Sequence, residues 1–148
     1  VDAYLERAKH WQLSMPVAYP RFEDSYKQAG VSPGYGEILD RAGSTFKRTL
    51  ELALDAKAPF VQICTWNDWG EGTQIEPSIE FGYRDLEALQ LVRRRLDPAF
   101  TFQPSDLRLP EKLYRLHKAN KQRMKLDEAA ARLSNGQSTE ARRLLDSQ

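Results

Sequence analysis

The sequence predicts an α/β architecture, with parallel strands joined by helical crossovers and a basic α-helical tail. Three observations carry the prediction. Helical and strand signals alternate through residues 1–100 as helix, strand, helix, strand, helix, the order of parallel β/α units. Both strand signals run into loops longer than the roughly 2–6 residues usual at such junctions, which points to function at that end of the sheet. The charge also changes sign late in the chain: 12 Lys+Arg stand against 16 Asp+Glu up to residue 107, and 10 against 5 from residue 108 onward.

Val1 to His10 read as the end of a helix, and Leu13–Tyr19 as a short strand weakened by Pro16. A long polar loop follows, with Gly30, Pro33, Gly34, Gly36 and Gly43. Ser44 then offers an N-cap for an amphipathic helix, with Phe46, Leu50, Ala53 and Leu54 on one face and Lys47, Arg48, Glu51 and Asp55 on the other. Pro59 closes it. Phe60–Trp66 is the strongest strand signal, rich in β-branched and aromatic residues, and Asn67–Ile79 is a loop. A helix from about Tyr83 to Leu96 places Leu86, Leu89, Val92 and Leu96 inward and stops before Pro98.

Thr101–Leu109, polar and carrying Pro104, reads as a linker. Pro110 opens a helix to about Gln122 with Leu113 and Leu116 inward. A second helix runs from Met124 to Ser134 and ends at the C-cap signal Asn135-Gly136, and a third starts at Ser138 with a displaced capping box at Glu140. Asp127–Ser134 with Thr139–Asp146 resembles one tetratricopeptide-type hairpin. No repeat period accompanies it, so a plain helical tail is expected.

Composition narrows the function. The 148 residues hold one cysteine, which rules out an internal disulfide framework. No apolar stretch approaches the roughly 18–20 residues of a membrane span, so none is expected. The first residues lack the basic and apolar regions of a signal peptide. The chain does not begin with Met, so a periplasmic or secreted parent stays compatible. The basic tail is not interleaved with aromatics or Gly-rich loops, so no nucleic-acid partner is expected. His10 and His117 stand alone, so no metal site is expected, and no phosphate-binding glycine motif calls for a cofactor. Cys64 reads as a small core residue.

The chemistry concentrates in Trp66-Asn67-Asp68-Trp69-Gly70-Glu71-Gly72-Thr73-Gln74-Ile75-Glu76-Pro77. Glycoside hydrolysis commonly uses two carboxyl groups in different protonation states. Asp68 and Glu71 are three residues apart, so a helix-like turn brings them to about 5–6 Å between Cβ atoms, close to the ~5–5.5 Å of retaining enzymes. Trp66 and Trp69 offer flat apolar faces to a sugar, and Asn67 and Glu76 add polar contacts. The same residues also fit a loop whose tryptophans cover a core and whose acids face water, with Glu76 as a pairing partner at the loop exit. Tyr19 and Arg21, followed by Glu23 and Asp24, leave the first strand and are candidates for the same mouth, although a charged loop start is the commoner reading of such a stretch. Tyr35 and Arg41 are further candidates from the Gly-rich loop, where Arg41 also fits as a brace.

This motif, followed by Glu80-Phe81-Gly82-Tyr83, resembles the signature of the glycoside hydrolase family 99 and family 71-like group, whose bacterial members are often labelled xylosidase/arabinosidase. The resemblance spans roughly Trp11 to Leu96 and includes Pro20-Arg21-Phe22-Glu23-Asp24, similar to a Pro-Gly-Phe-Asp-Asp segment of that group. It implies a (β/α)8 TIM barrel with the motif at the end of its last strand. Glu71 would be the general acid/base, and Asp68 would assist the substrate's 2-hydroxyl as an internal nucleophile. The group usually has Glu in place of Asp68 and His in place of Gly70. The chain is therefore expected to hold the C-terminal β/α units of such a barrel (1–100), a linker (101–109) and a basic helical tail (110–148). A barrel needs about 200–250 residues, so the remaining strands are expected from upstream residues or another chain. The expected function is hydrolysis of glycosidic bonds in an oligo- or polysaccharide. The alternative is a non-catalytic α/β fragment or interaction module that keeps a relic of the motif.

Overall fold

The computed structural model describes residues 2–119 and 122–147 and is helix-rich, with one small parallel sheet. Val1, at the start of the first predicted helix, and residues 120–121, at the end of the helix predicted from Pro110, lie outside the described residues. The chain divides into two compact units, Val1–Ala88 and Leu89–Gln148.

The first unit contains α1 (Asp2–Ala8), β1 (Val17–Ala18), α2 (Ser25–Gln28), a 3-10 turn (Arg41–Gly43), α3 (Ser44–Asp55), β2 (Gln62–Ile63) and the start of α4 (Arg84–Leu96). The two strands pair in parallel, Val17 with Gln62 and Ala18 with Ile63, and α3 lies in the crossover between them. The strands are far shorter than the predicted Leu13–Tyr19 and Phe60–Trp66. Pairing explains this. A strand extends only as far as its ladder, and each of these has one neighbour among the described residues, while Pro16 and Pro20 withhold donors at both ends of β1. Leu13, Met15 and Phe60, which fall within the predicted strands, lie outside the paired residues and are 66%, 47% and 65% exposed.

The core of this unit lies where α3 covers β1. Ala18, Phe46, Leu50 and Ala53 are buried, at the i, i+4, i+7 spacing that predicts the helix. Thr49, on the same face, finishes the end of β1: its hydroxyl donates to the Tyr19 carbonyl (2.8 Å) and accepts from the Tyr19 N–H (3.1 Å). Ser44 does not cap α3. Its hydroxyl donates to the Arg41 carbonyl, and Asp40 instead accepts from the Gly43 N–H at 3.1 Å. The chain enters α3 through left-handed Gly43, φ +81°.

The second unit takes most of α4, a 3-10 helix (Pro104–Arg108), α5 (Leu109–Lys118), α6 (Arg123–Ser134) and α7 (Ser138–Asp146). On α4, Ala88 and Gln90 are buried, whereas Leu96 is largely exposed. Leu109, Leu126, Ala129 and Leu145 form the core of the three terminal helices, and Leu113, Leu116, Leu133 and Leu144 pack against it. Gly136, φ +72°, follows the Asn135 C-cap of α6 as the sequence predicts, while Gln137 precedes α7 with no side-chain cap. Within the stretch read as a linker, residues 104–108 form the 3-10 helix. The Asp106 carboxylate accepts from the Gln103 N–H (2.8 Å) and pairs with Arg142 of α7 (2.6 Å).

Candidate active site

The motif loop is built from its neck outward. Cys64, half-buried and just past β2, extends the parallel register by donating to the Ala18 carbonyl at 2.9 Å. Thr65 and Trp66 then pinch against residues 73–76. Thr65 N–H donates to Thr73 O (2.9 Å), Ile75 N–H to Thr65 O (2.9 Å) and Glu76 N–H to Trp66 O (2.8 Å), and the two threonine hydroxyls share a 2.8 Å hydrogen bond. Buried Thr73, Gln74 and Ile75 anchor the returning strand of this neck.

The neck holds the carboxylate turn. Asp68 N–H donates to the Thr65 hydroxyl (3.1 Å), and the Glu71 N–H donates to Asp68 Oδ1 (3.0 Å). Asp68 therefore closes its own turn, a role short polar side chains perform well, and the turn seats its carboxylate at the start of Glu71. Both residues are half-buried. Among the described residues, Asp68 Oδ2 and the Glu71 carboxylate have no protein hydrogen-bond partner. From the other side, the loop after β1 grips the turn: Glu23 N–H donates to Glu71 O (2.8 Å) and Ser25 N–H to Gly70 O (3.0 Å).

Trp66 and Trp69 stand about half exposed on this loop. The Trp69 indole N–H donates to Glu76 Oε2 at 3.2 Å, so Glu76 sets the direction of that ring. Asn67 is exposed, and its carbonyl accepts from the Trp69 N–H.

Arg21 occupies a different place from the mouth position expected of it. It is 4% exposed, and its guanidinium donates to Asp85 Oδ2 (2.6 Å) and to the Gln74 carbonyl (3.2 Å) while lying 3.5 Å above the Phe81 ring. Its Nε has no hydrogen-bond partner but stands 3.6 Å from Asp40 Oδ1, close enough for electrostatic compensation. Arg84 joins Asp40 and Asp85 in the same cluster. Burial on its own lowers the Arg84 pKa. The hydrogen bond to Asp40 and the charges of Asp85 and Asp40 outweigh this and raise it above the ordinary value. The cluster ties the carboxylate loop, through Gln74, to the segment before α3 and to the first turn of α4.

The remaining candidates are scattered. Tyr19 is half-buried, and its backbone is held by Thr49. Tyr35 is 78% exposed, meets Phe22 edge-on at 6.4 Å, and donates its N–H to Asp24 Oδ2. Arg41 is exposed in a left-handed conformation, φ +51°. Sequence reasoning missed Asp40, Arg84, Asp85 and Tyr26, and it noted Phe81 only as part of the motif's continuation. Gly70 is the one signal that points to any of these, because a glycine between Trp69 and Glu71 marks a close approach, here by Tyr26. Among the described residues, no three His, Cys, Asp or Glu side chains gather as metal ligands, and no helix is long and apolar enough to cross a membrane.

No protein-family model and no curated protein matches the sequence. Among solved structures, the chain is similar to the GH99 endo-α-mannosidase from Bacteroides thetaiotaomicron. The complex with BIS-TRIS-propane matches 66% of this chain at 20% identity with a TM-score of 0.48, and a second structure of that enzyme matches 65% at 24% identity with a TM-score of 0.46. The chain spans about a third of those proteins, 35% and 31% of their lengths.

Proposed function

We propose that this chain forms part of a glycoside hydrolase and carries its paired carboxylates. One observation carries the reading: the turn that binds Asp68 Oδ1 to the Glu71 N–H on a loop flanked by two half-exposed tryptophans. That turn fixes one oxygen of Asp68 and leaves the other, with the whole Glu71 carboxylate, for a substrate. The motif's resemblance to the family 99 and 71-like signature supports the same reading, as does the position of the loop just beyond a parallel strand pair.

In this mechanism Glu71, with the longer side chain, gives its proton to the leaving glycosidic oxygen. Asp68, held rigidly by its own turn, acts on the attacking side, through the sugar's 2-hydroxyl or at the anomeric carbon. Trp66 and Trp69 offer apolar faces to the ring, and Glu76 orients Trp69.

The test is turnover of an oligosaccharide by the full-length enzyme. Glu71→Gln and Asp68→Asn should each slow it by about 10²–10⁴-fold with melting unchanged. Losses below about tenfold in both variants would mark the loop as a non-catalytic relic.

A further inference from the structure

The loop after β1 brings to this turn a residue the motif does not contain. Phe22 and Ile38 exchange backbone hydrogen bonds, N–H to O at 3.0 and 2.9 Å, and so close the excursion 23–37 at its base. Within it, Asp24 Oδ1 accepts from the Tyr26 N–H (3.0 Å) and the Lys27 N–H (3.2 Å), and Oδ2 accepts from the Tyr35 N–H (3.1 Å). The excursion is thus fixed internally. Its bonds from Glu23 and Ser25 to the Glu71 and Gly70 carbonyls fix it to the carboxylate turn.

The consequence is the position of Tyr26. A Cβ placed on Gly70 would stand 2.7 Å from the Tyr26 hydroxyl oxygen and 3.0 Å from two of its ring carbons, nearer than real Cβ atoms come. Gly70 has no left-handed φ, so its backbone would accept a side chain. The phenol is what excludes one. It lies over the residue between Trp69 and Glu71, two positions from Asp68. A tyrosine kept only for packing buries its ring and pairs its hydroxyl. Tyr26 is 52% exposed, and among the described residues its hydroxyl has no partner.

We propose that Tyr26 is a substrate-contacting residue that helps set specificity: its phenol hydrogen-bonds a sugar hydroxyl held at the Asp68–Glu71 turn and fills the space a side chain at position 70 would take. This rests on the carbohydrate reading of the site. The phenol is a neutral donor and acceptor, which suits a sugar hydroxyl, and its ring extends the apolar wall begun by Trp66 and Trp69.

The experiment uses the full-length protein and a panel of manno-, xylo- and arabino-oligosaccharides of three to five sugars. Binding is read by tryptophan fluorescence and turnover by reducing ends. Tyr26→Phe should weaken binding of the accepted oligosaccharide about three- to tenfold, the worth of one neutral hydrogen bond, with an unchanged melting temperature. Gly70→Ala should lose at least as much, by displacing the phenol. It should lose nothing further in a Tyr26→Ala background, because the two changes then remove the same contact. If the unsubstituted protein binds while Tyr26→Phe stays within twofold of it and Gly70→Ala has the same effect in both backgrounds, the assignment of Tyr26 fails alone. If the unsubstituted protein binds none of the panel, that assignment and the carbohydrate reading fail together.

Discussion

Asp85→Ala removes the main anionic partner of a buried cation. Arg21 is 4% exposed, and Asp85 takes its shortest bond, 2.6 Å. Without Asp85, Arg21 keeps the Gln74 carbonyl and Asp40 at 3.6 Å, while Arg84 loses one of its two carboxylates. Breaking such a pair on one side costs about 3–5 kcal/mol, because a charge stays buried without its counterpart. With a urea m-value of about 2 kcal/mol/M, the unfolding midpoint should fall by about 1.5–2.5 M. The control is Arg115→Ala, which breaks an exposed i,i+4 pair with Glu111 and should shift the midpoint by about 0.25 M at most. Replacing both partners, Arg21→Met with Asp85→Leu, should recover most of the loss, since an apolar pair needs no compensation. An Asp85→Ala midpoint no lower than that of the Arg115→Ala control would refute the reasoning.

Gly43→Ala should destabilise by at least about 1–2 kcal/mol, from the left-handed backbone, with a clash in addition, because its new Cβ would stand 2.6 Å from Arg84 Nε; Arg84→Ala should relieve the clash part in a urea double-mutant cycle. Leu126→Ala, at a position 1% exposed, should cost about 2–5 kcal/mol and unfold the terminal helices first, as read by hydrogen exchange. Lys112→Ala should flatten the acid limb of stability. The hydrogen bond from Lys112 leads the effects on the Asp146 pKa and lowers it, opposed by desolvation and helped by the charges of Lys112 and Arg142. A carboxylate with a depressed folded pKa stabilises the fold above the ordinary carboxylate range and loses that contribution as pH falls through it. The gap between the two proteins should therefore be larger at pH 7 than at pH 3, and an equal gap would contradict the pairing.

Local signals were legible where local physics decides. The spacing of Phe46, Leu50 and Ala53 marks α3, and Asn135-Gly136 marks the end of α6, because amphipathic faces and left-handed caps are set within a few residues. The carboxylate loop was legible as a motif, since its acids and tryptophans are contiguous. Strand length was not, because it depends on neighbours that the sequence of two strands cannot supply. Arg21 read as a mouth residue because its charge follows a strand, but its place is decided by Asp85, 64 residues away. The ordered 3-10 helix at Pro104–Arg108 likewise depends on Arg142, 36 residues beyond Asp106. The contact of Tyr26 with Gly70 joins two loops whose approach follows from the strand register, which is set only once β1 and β2 pair.

The most direct test of the paired-carboxylate account is the dependence of Glu71→Gln on the leaving group. In the full-length protein, turnover would be compared on an oligosaccharide and on its aryl glycoside, whose phenolate departs without a proton. If Glu71 is the proton donor, the loss of about 10²–10⁴-fold on the oligosaccharide should shrink sharply on the aryl glycoside, while Asp68→Asn should lose heavily on both. An equal loss on both substrates in Glu71→Gln, with Asp68→Asn sparing the aryl glycoside, would contradict the account by reversing the two roles.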